Sequence, residues 1–348
     1  MSMKKKYIDI LLIAVAVLLN ACSSGDSGEQ PDPTDDKPVQ KEIQVMTYAS
    51  HFAETELSHR AAPTGFSAYT PDKTTNMGIY MLLPADWATP KEEKIIYTNK
   101  WHAYFEVTSD KTYTVYGYMP KTGDMSSSLA KSTADAATLT ISNIKPITTD
   151  DMCIITGVEA SDEGLKEGQF SWSWPIGDDN YKIYILMDHL YAAALFRLKI
   201  DAEYASLRTI KLKTMTLRTD YGSVIATISL THNTTGASPI SGVVFAPSGS
   251  SEDFLVFNSD AGTALDKDTP VDINTCFAPT LNNLTMVTTY DVYDRKGNLI
   301  RENSTATNKL PNLAAVRGQK VQVNLTVNPT YLYVLSDPDL DNPTITVN

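Results

Sequence analysis

The chain consists largely of short segments in which apolar and polar residues alternate, with turn-forming residues between the segments. A period of two places successive side chains on opposite faces, which is typical of β-strands with one buried face. After residue 40, the sequence carries no long apolar stripe with a helical period. The pattern therefore predicts an all-β protein. The predicted strands are Glu42–Tyr48, Met77–Leu83, Tyr113–Met119, Leu139–Ile141, Cys153–Val158, Phe170–Trp174, Tyr181–Met187, Phe196–Ile200, Ile210–Leu217, Val224–Leu230, Ile240–Phe245, Phe254–Phe257, Leu284–Val292, Leu299–Arg301 and Val321–Val327.

Three local features are predicted within this pattern. The alternation slips by one residue at Thr214, which indicates a β-bulge. Arg295–Asn298 lies between two strands and is expected to form a hairpin turn with Gly297 at positive φ. Asp188–Leu195 interrupts the alternation and is interpreted as one helical turn.

Antiparallel strands at this spacing favour β-sandwiches. The polar segment Gly177–Asn180 predicts a domain boundary near residue 180. We therefore expect an N-terminal β-sandwich domain over residues 42–180, a C-terminal one over residues 181–328, and an extension over residues 329–348.

The N-terminus reads as an export signal. Lys4–Lys6 is followed by the apolar run Ile8–Leu19, which is too short to span a bilayer comfortably. Leu19–Cys22 resembles a bacterial lipobox, so residues 1–21 are expected to be a lipoprotein signal peptide and Cys22 the lipidated residue. The alternative is ordinary secretion with Cys22 as a spare thiol. Residues 22–41 are rich in Ser, Gly, Pro and Asp and predict a flexible acidic tether.

Composition narrows the class of partner. The 348 residues include 29 Lys and Arg against 41 Asp and Glu, a formal net charge of −12. Such a balance argues against a nucleic-acid partner. Three cysteines are too few for a disulfide framework. Cys153 and Cys276 lie in apolar stretches, so they either pair or, as we favour, remain buried free thiols.

The sequence lacks the common catalytic motifs and any histidine pair at metal-ligand spacing. His189 lies among apolar residues and is interpreted as a packed or capping side chain. Asp337–Asp341 begins like a calcium loop, but Asn342 stands where Gly is needed and Asn348 where Glu is needed. We therefore expect no enzyme activity, no cofactor and no metal.

One aromatic row leaves two interpretations open. Phe170, Trp172 and Trp174 project from one face of a predicted strand, with Ser171 and Ser173 on the other. An exposed row would stack on sugar rings, whereas a buried row would fill a sandwich core. Because serines occupy the opposite face, we favour burial.

Six stretches together resemble the Bacteroidales fimbrillin family, the pilin subunits of lipoprotein-derived surface fimbriae. They extend over nearly the whole chain and comprise the lipobox, the acidic tether, Met77–Tyr80, Asp188–Ile200, Leu207–Leu212 and Pro329–Pro343. The resemblance implies two tandem transthyretin-like antiparallel β-sandwich domains. It also implies that an Arg-specific protease removes the N-terminal segment with the first strand. A strand from a neighbouring subunit then fills the groove by β-strand addition.

That resemblance assigns roles to particular residues. Arg60 is the only arginine before Arg197, so cleavage is expected between Arg60 and Ala61. The alternative for Arg60 is that it is a solvated loop charge. For the C-terminal segments Thr330–Leu335 and Thr344–Val347, the alternative to donation is that both pair within their own sheet. The removable first strand is represented by Ile43, Val45, Met46 and Tyr48, and the donor strand by Tyr331, Leu332, Tyr333, Val334, Leu335, Ile345 and Val347.

The expected function is that of a structural subunit of cell-surface fimbriae that supports adhesion. Its expected partners are other fimbrial subunits, in homo- and heteropolymers, and an Arg-specific protease. The lipid on Cys22 would hold the precursor at the outer membrane. The alternative is a surface lipoprotein that binds glycans through Trp172 and Trp174.

Overall fold

The computed structural model describes residues 39–49, 53–54, 67–68, 75–108, 110–161, 163–173, 182–233, 238–279, 281, 283–310, 313, 315–328 and 339–347. Within these ranges the all-β prediction is confirmed, because helix is confined to single turns at Asp86–Ala88 and Ala202–Ala205. Neither turn, in this described part, has the length or apolar character of a membrane span. The strands are β1 (Val39–Ala49), β2 (Ala53–Glu54), β3 (Ser67–Ala68), β4 (Met77–Leu82), β5 (Glu93–Tyr97), β6 (Trp101–Val107), β7 (Thr112–Met119), β8 (Ser126–Thr133), β9 (Ala136–Ile144), β10 (Ile147–Thr148), β11 (Cys153–Glu159), β12 (Ser171–Ser173), β13 (Lys182–His189), β14 (Ala192–Ile200), β15 (Thr209–Thr219), β16 (Ser223–Thr231), β17 (Ile240–Ser248), β18 (Glu252–Ala264), β19 (Val271–Phe277), β20 (Thr285–Tyr293), β21 (Leu299–Lys309), β22 (Gln319–Asn328) and β23 (Asp339–Val347).

The first sheet closes on itself. Its strands follow the order β11-β13-β1-β6-β5-β4-β7-β12, with β3 beside β1. Because β11 also pairs with β7, through Cys153 opposite Met119, seven of these strands form a barrel-like ring. Alternate side chains point inward and make one core. That core includes Ile43, Val45, Ile79, Ile95, Phe105, Val115, Ile155, Trp172, Ile183 and Ile185.

Three further sheets are described, and they enclose two more cores. The second sheet has the order β10-β19-β14-β22-β2 with β23 beside β22, the third β18-β15-β20-β21, and the fourth β17-β16-β9-β8. One core joins apolar residues of the second and third sheets, such as Phe196 and Met215. The other joins the outer barrel face, through Tyr116 and Tyr118, to residues of the fourth sheet such as Ile228.

The strand ladders cross the boundary predicted near residue 180. β13 begins at Lys182, yet it lies in the barrel between β11 and β1. β9 pairs with β16 and β10 with β19, so strands from both predicted domains share sheets. The residues Val39–Asn348 form one compact unit. The two-domain division and the tandem transthyretin-like arrangement stay predictions.

The local predictions have different outcomes. The β-bulge at Thr214 is confirmed, because β15 shifts register there against both β18 and β20. The hairpin turn is confirmed as well, with Gly297 at a φ of +81° between β20 and β21. The helical turn at Asp188–Leu195 is wrong. β13 runs to His189 and β14 begins at Ala192, so the chain stays extended on both sides of a two-residue link in which the Leu190 N–H donates to the Met152 carbonyl at 2.6 Å.

Gly168 is the glycine at which we expect a side chain to be least tolerated. Its φ is +80°, its N–H donates to the Thr156 carbonyl, and a Cβ there would overlap the backbone of Asn233. Gly168→Ala is therefore expected to lower the free energy of unfolding by more than about 2 kcal/mol, measured by urea denaturation. Gly123→Ala is the control, since nothing lies within 4 Å of its added Cβ. Equal effects from the two variants would contradict the expectation.

Candidate functional site

The predicted removable strand corresponds to β1, which lies in the barrel wall with neighbours on both sides. Gln44–Ala49 pair in parallel with Lys182–Met187 of β13. Val39–Val45 pair antiparallel with Trp101–Val107 of β6. The two pairings overlap at Gln44 and Val45, so β1 links β6 to β13 in the ring. Two strand spacings of about 4.8 Å would separate β13 from β6 if β1 were absent.

Successive side chains of β1 lie on opposite faces of the sheet. Ile43 and Val45 are buried in the barrel core, whereas Met46 is 39% exposed on the opposite face. Glu42 also points outward and forms an ion pair with His102 when that histidine is protonated. Tyr48 pairs through its backbone with Leu186, and its side chain lies outside the description.

The C-terminal residues also form a strand, within the chain's own sheet. β23 pairs antiparallel with β22, with Ile345 opposite Leu325 and Val347 opposite Val323. β14 occupies the other edge of β22 over most of its length. The edge that carries β23 therefore also carries β2, where Ala53 lies opposite Gln319. Two segments from opposite ends of the chain thus cover one edge of β22.

Several predicted site residues lie outside the described residues. These are Cys22, Arg60, Ala61 and the first part of the donor segment, Tyr331–Leu335. For Ile345 and Val347 the backbone is described and the side chains are not. The roles of all these residues stay predictions.

The two described residues of the aromatic row, Phe170 and Trp172, are buried as predicted, in two different cores. Phe170 and Trp172 are buried, whereas Ser171 and Ser173 are exposed. The Trp172 indole N–H donates to the Lys182 carbonyl at 3.4 Å, and its ring is tilted against Tyr113 at 6.1 Å. Trp172 is therefore not an exposed surface for stacking on a sugar. Trp174 lies outside the described residues.

A buried group of titratable side chains joins β11 and β13. Cys153 lies opposite His189 in the ladder, and Asp151 precedes Cys153 by two residues. The Cys153 thiol donates to Asp151 Oδ2 at 2.9 Å, and the same oxygen contacts His189 Nδ1. Burial, reinforced by the Asp151 carboxylate, raises the pKa of the Cys153 thiol well above its usual value.

Sequence reasoning identified neither this group nor its geometry. His189 was expected to be packed, and it is buried, but with a carboxylate and a thiol as neighbours. The spacing of Asp151 and Cys153 places both on one side of an extended chain. Only the register between β11 and β13 adds His189, and register between distant strands is not readable from one sequence. Cys276 is likewise buried, and both thiols are free.

Comparisons with known proteins complete the description. No family model matches the chain, and no curated protein matches it. A candidate cell adhesion protein of Bacteroides ovatus is 13% identical, with a TM-score of 0.42 over 89% of this chain and 96% of that one. A candidate cell adhesion protein of Bacteroides uniformis is 12% identical, with a TM-score of 0.37 over 91% of this chain and 99% of that one. A fimbrial protein of Bacteroides vulgatus is 15% identical, with a TM-score of 0.34 over 89% of this chain and 98% of that one.

Proposed function

We propose that this chain is a structural subunit of cell-surface fimbriae that supports adhesion and polymerises by donor-strand exchange. Export as a lipoprotein through Cys22 and cleavage after Arg60 by an Arg-specific protease precede assembly with other fimbrial subunits. The observation that carries the proposal is the position of β1. It is an internal barrel strand, yet it lies at the start of the fold and on the N-terminal side of Arg60.

Loss of β1 would leave a groove with defined chemistry. Trp101–Val107 of β6 and Lys182–Met187 of β13 would each expose unpaired N–H and C=O groups on the edge that β1 had covered. The positions vacated by Ile43 and Val45 would expose the apolar barrel interior. Such a groove favours an extended segment that brings main-chain hydrogen bonds and inward apolar side chains at every second residue.

The C-terminus carries a segment with that pattern. Thr344–Val347 reads polar, Ile, polar, Val, which is the same order of residue classes as Glu42–Val45 in β1. In an extended segment, Ile345 and Val347 share one face. A neighbouring subunit that inserted this segment would place Ile and Val where Ile43 and Val45 had been. Tyr331–Leu335 offers a second alternating segment that would lengthen the contact.

Pairing of β23 with β22 fits a precursor that is held as a monomer. While β23 lies on β22, the edge of the second sheet is covered and the apolar C-terminal segment is not free to aggregate. On exchange, the segment would trade one set of main-chain hydrogen bonds for another of the same kind. The net gain would come from refilling the opened barrel core.

The test is cleavage of the purified precursor by an Arg-specific protease, followed by electrophoresis without boiling. The cut wild-type chain is expected to form an oligomer ladder after the N-terminal fragment separates. Two variants are expected to remain monomeric under the same treatment. Arg60→Ala is not cut at that site, and deletion of residues 339–348 removes Ile345 and Val347, the part of the donor segment proposed to refill the barrel core.

The outcomes separate the proposal from its rival. If the wild-type chain is cut after Arg60, loses its N-terminal fragment and stays monomeric, donor-strand exchange is overturned. Ladders that persist in the chain lacking residues 339–348 would show that another segment is the donor. Glycan binding, the alternative function, has lost Trp172 as its predicted platform, because that side chain is buried.

A further inference from the structure

The group formed by Asp151, Cys153 and His189 has the features of an ion-binding site. All three residues are buried, and their nitrogen, sulfur and oxygen ligand atoms lie within 4.8 Å of one another. The side chains of Asp151 and His189 are 8% and 6% exposed. The register of β11 against β13 fixes Cys153 opposite His189, so the backbone holds two of the three ligands in place.

One buried polar atom of this group has no hydrogen-bond partner among the described residues. Asp151 Oδ2 contacts both Cys153 and His189, whereas Asp151 Oδ1 is buried and has no hydrogen-bond partner among the described residues. Buried carboxylate oxygens in native structures are normally paired, and an exception points to a bound water or ion. The unpartnered oxygen is a second observation in favour of a bound ion, in addition to the close approach of the three side chains.

The ligand types select the kind of ion. Calcium and magnesium take oxygen ligands, whereas zinc binds thiolate, imidazole and carboxylate together. Zinc bonds of about 2.0–2.3 Å in a tetrahedral shell place ligand atoms about 3.3–3.7 Å apart. Cys153 Sγ and Asp151 Oδ2 are 2.9 Å apart, and all three ligand atoms lie within 4.8 Å of one another. These separations bracket the spacing that zinc needs.

The charges would balance around a divalent ion. Zinc would replace the Cys153 thiol proton, which leaves to solvent, and the imidazole would bind through Nδ1 as its Nε2–H tautomer. The thiolate and the Asp151 carboxylate would then neutralise the two positive charges. Arg317 supports the arrangement from outside, since it donates to the His189 carbonyl and to Asp188 Oδ2, both at 2.7 Å.

We propose that Asp151, Cys153 and His189 form a binding site for one Zn²⁺ ion, which links β11 to β13 at the barrel seam. A water molecule completes the tetrahedral shell. The site links β13 to β11, the neighbour on the edge of β13 away from β1, so its test does not depend on strand exchange.

The test uses the full chain and two metals. After incubation with zinc chloride and dialysis, the wild-type chain is expected to retain about one zinc ion, measured by elemental analysis. With cobalt chloride it is expected to show tetrahedral d–d bands and a thiolate-to-cobalt charge-transfer band. The three cysteines supply matched variants. Cys153→Ser is expected to lose the charge-transfer band and the bound zinc, whereas Cys22→Ser and Cys276→Ser are expected to keep both.

Several outcomes of these measurements would contradict the zinc site. The proposal is overturned if the wild-type chain retains no zinc, or if zinc is retained without a charge-transfer band for cobalt. It is also overturned if Cys153→Ser keeps the band or if Cys276→Ser loses it. Should Cys153→Ser fail to fold, the wild-type measurements and His189→Gln decide, and His189→Gln is expected to lose the retained zinc.

Discussion

Replacing Ile43 by Asp is expected to remove more than about 4 kcal/mol from the free energy of unfolding, enough to unfold many domains. Ile43 is fully buried in the barrel core, and its backbone pairs with Ala103 of β6. An Asp there would either keep its charge in an apolar interior or bind a proton to become neutral, and both are costly. Urea denaturation followed by circular dichroism measures the loss.

Met46→Asp is the matched control for that variant. It introduces the same side chain on the same strand, three residues away and on the exposed face. Its expected effect is below about 1 kcal/mol. If Ile43→Asp were as stable as Met46→Asp, β1 would not contribute its inner face to the barrel core. The groove on which the assembly proposal rests would then be lost as well.

Replacing Trp172 by Ala is expected to cost about 3–5 kcal/mol, the usual range for truncating a buried tryptophan. The ring is 2% exposed and fills the barrel core beside Tyr113. Truncation leaves a cavity that the short strand β12 has little means of closing. The midpoint of urea unfolding, compared with the wild type at constant slope, measures the effect.

Trp87→Ala is the control for the tryptophan variant. Trp87 is only partly buried and packs edge-on against Tyr116 at 5.9 Å, under the ammonium group of Lys131. Its truncation is expected to cost clearly less. A Trp172→Ala protein with wild-type stability would contradict the buried position and would restore the exposed aromatic platform of the glycan-binding alternative.

The face of each strand was the part of the fold most open to prediction. In β14, Ala192, Ala194, Phe196, Leu198 and Ile200 are buried in strict alternation, so the period of two survives into the structure. The slip at Thr214 likewise predicts a bulge because a one-residue slip moves side chains to the opposite face. Burial of one strand face therefore produces an alternating pattern that can be recognised in the sequence.

Edge strands and pairings between distant strands were harder to predict from the sequence. β8 has only Leu129 buried, so its polar sequence carries no alternation, and the prediction omits it. β6 does alternate, from Trp101 to Val107, and a turn with Asn99 at positive φ separates it from β5, so this strand was open to prediction and the prediction omits it. The parallel pairing of β1 with β13, and with it the closed barrel, depends on long-range register. The buried group around His189 was missed for the same reason.

The parallel pairing of β1 with β13 also sets an order of events in folding. Synthesis delivers the N-terminus first, so β1 emerges early and can meet β6, but its other partner begins only at Lys182. Pairing between residues so far apart in sequence is slow, since a long loop must close before any contact is gained. During that delay the edge of β1 that pairs with β13 has no partner strand. A strand from another chain would compete for the same place, so the rate of barrel closure sets how long each chain is open to premature association.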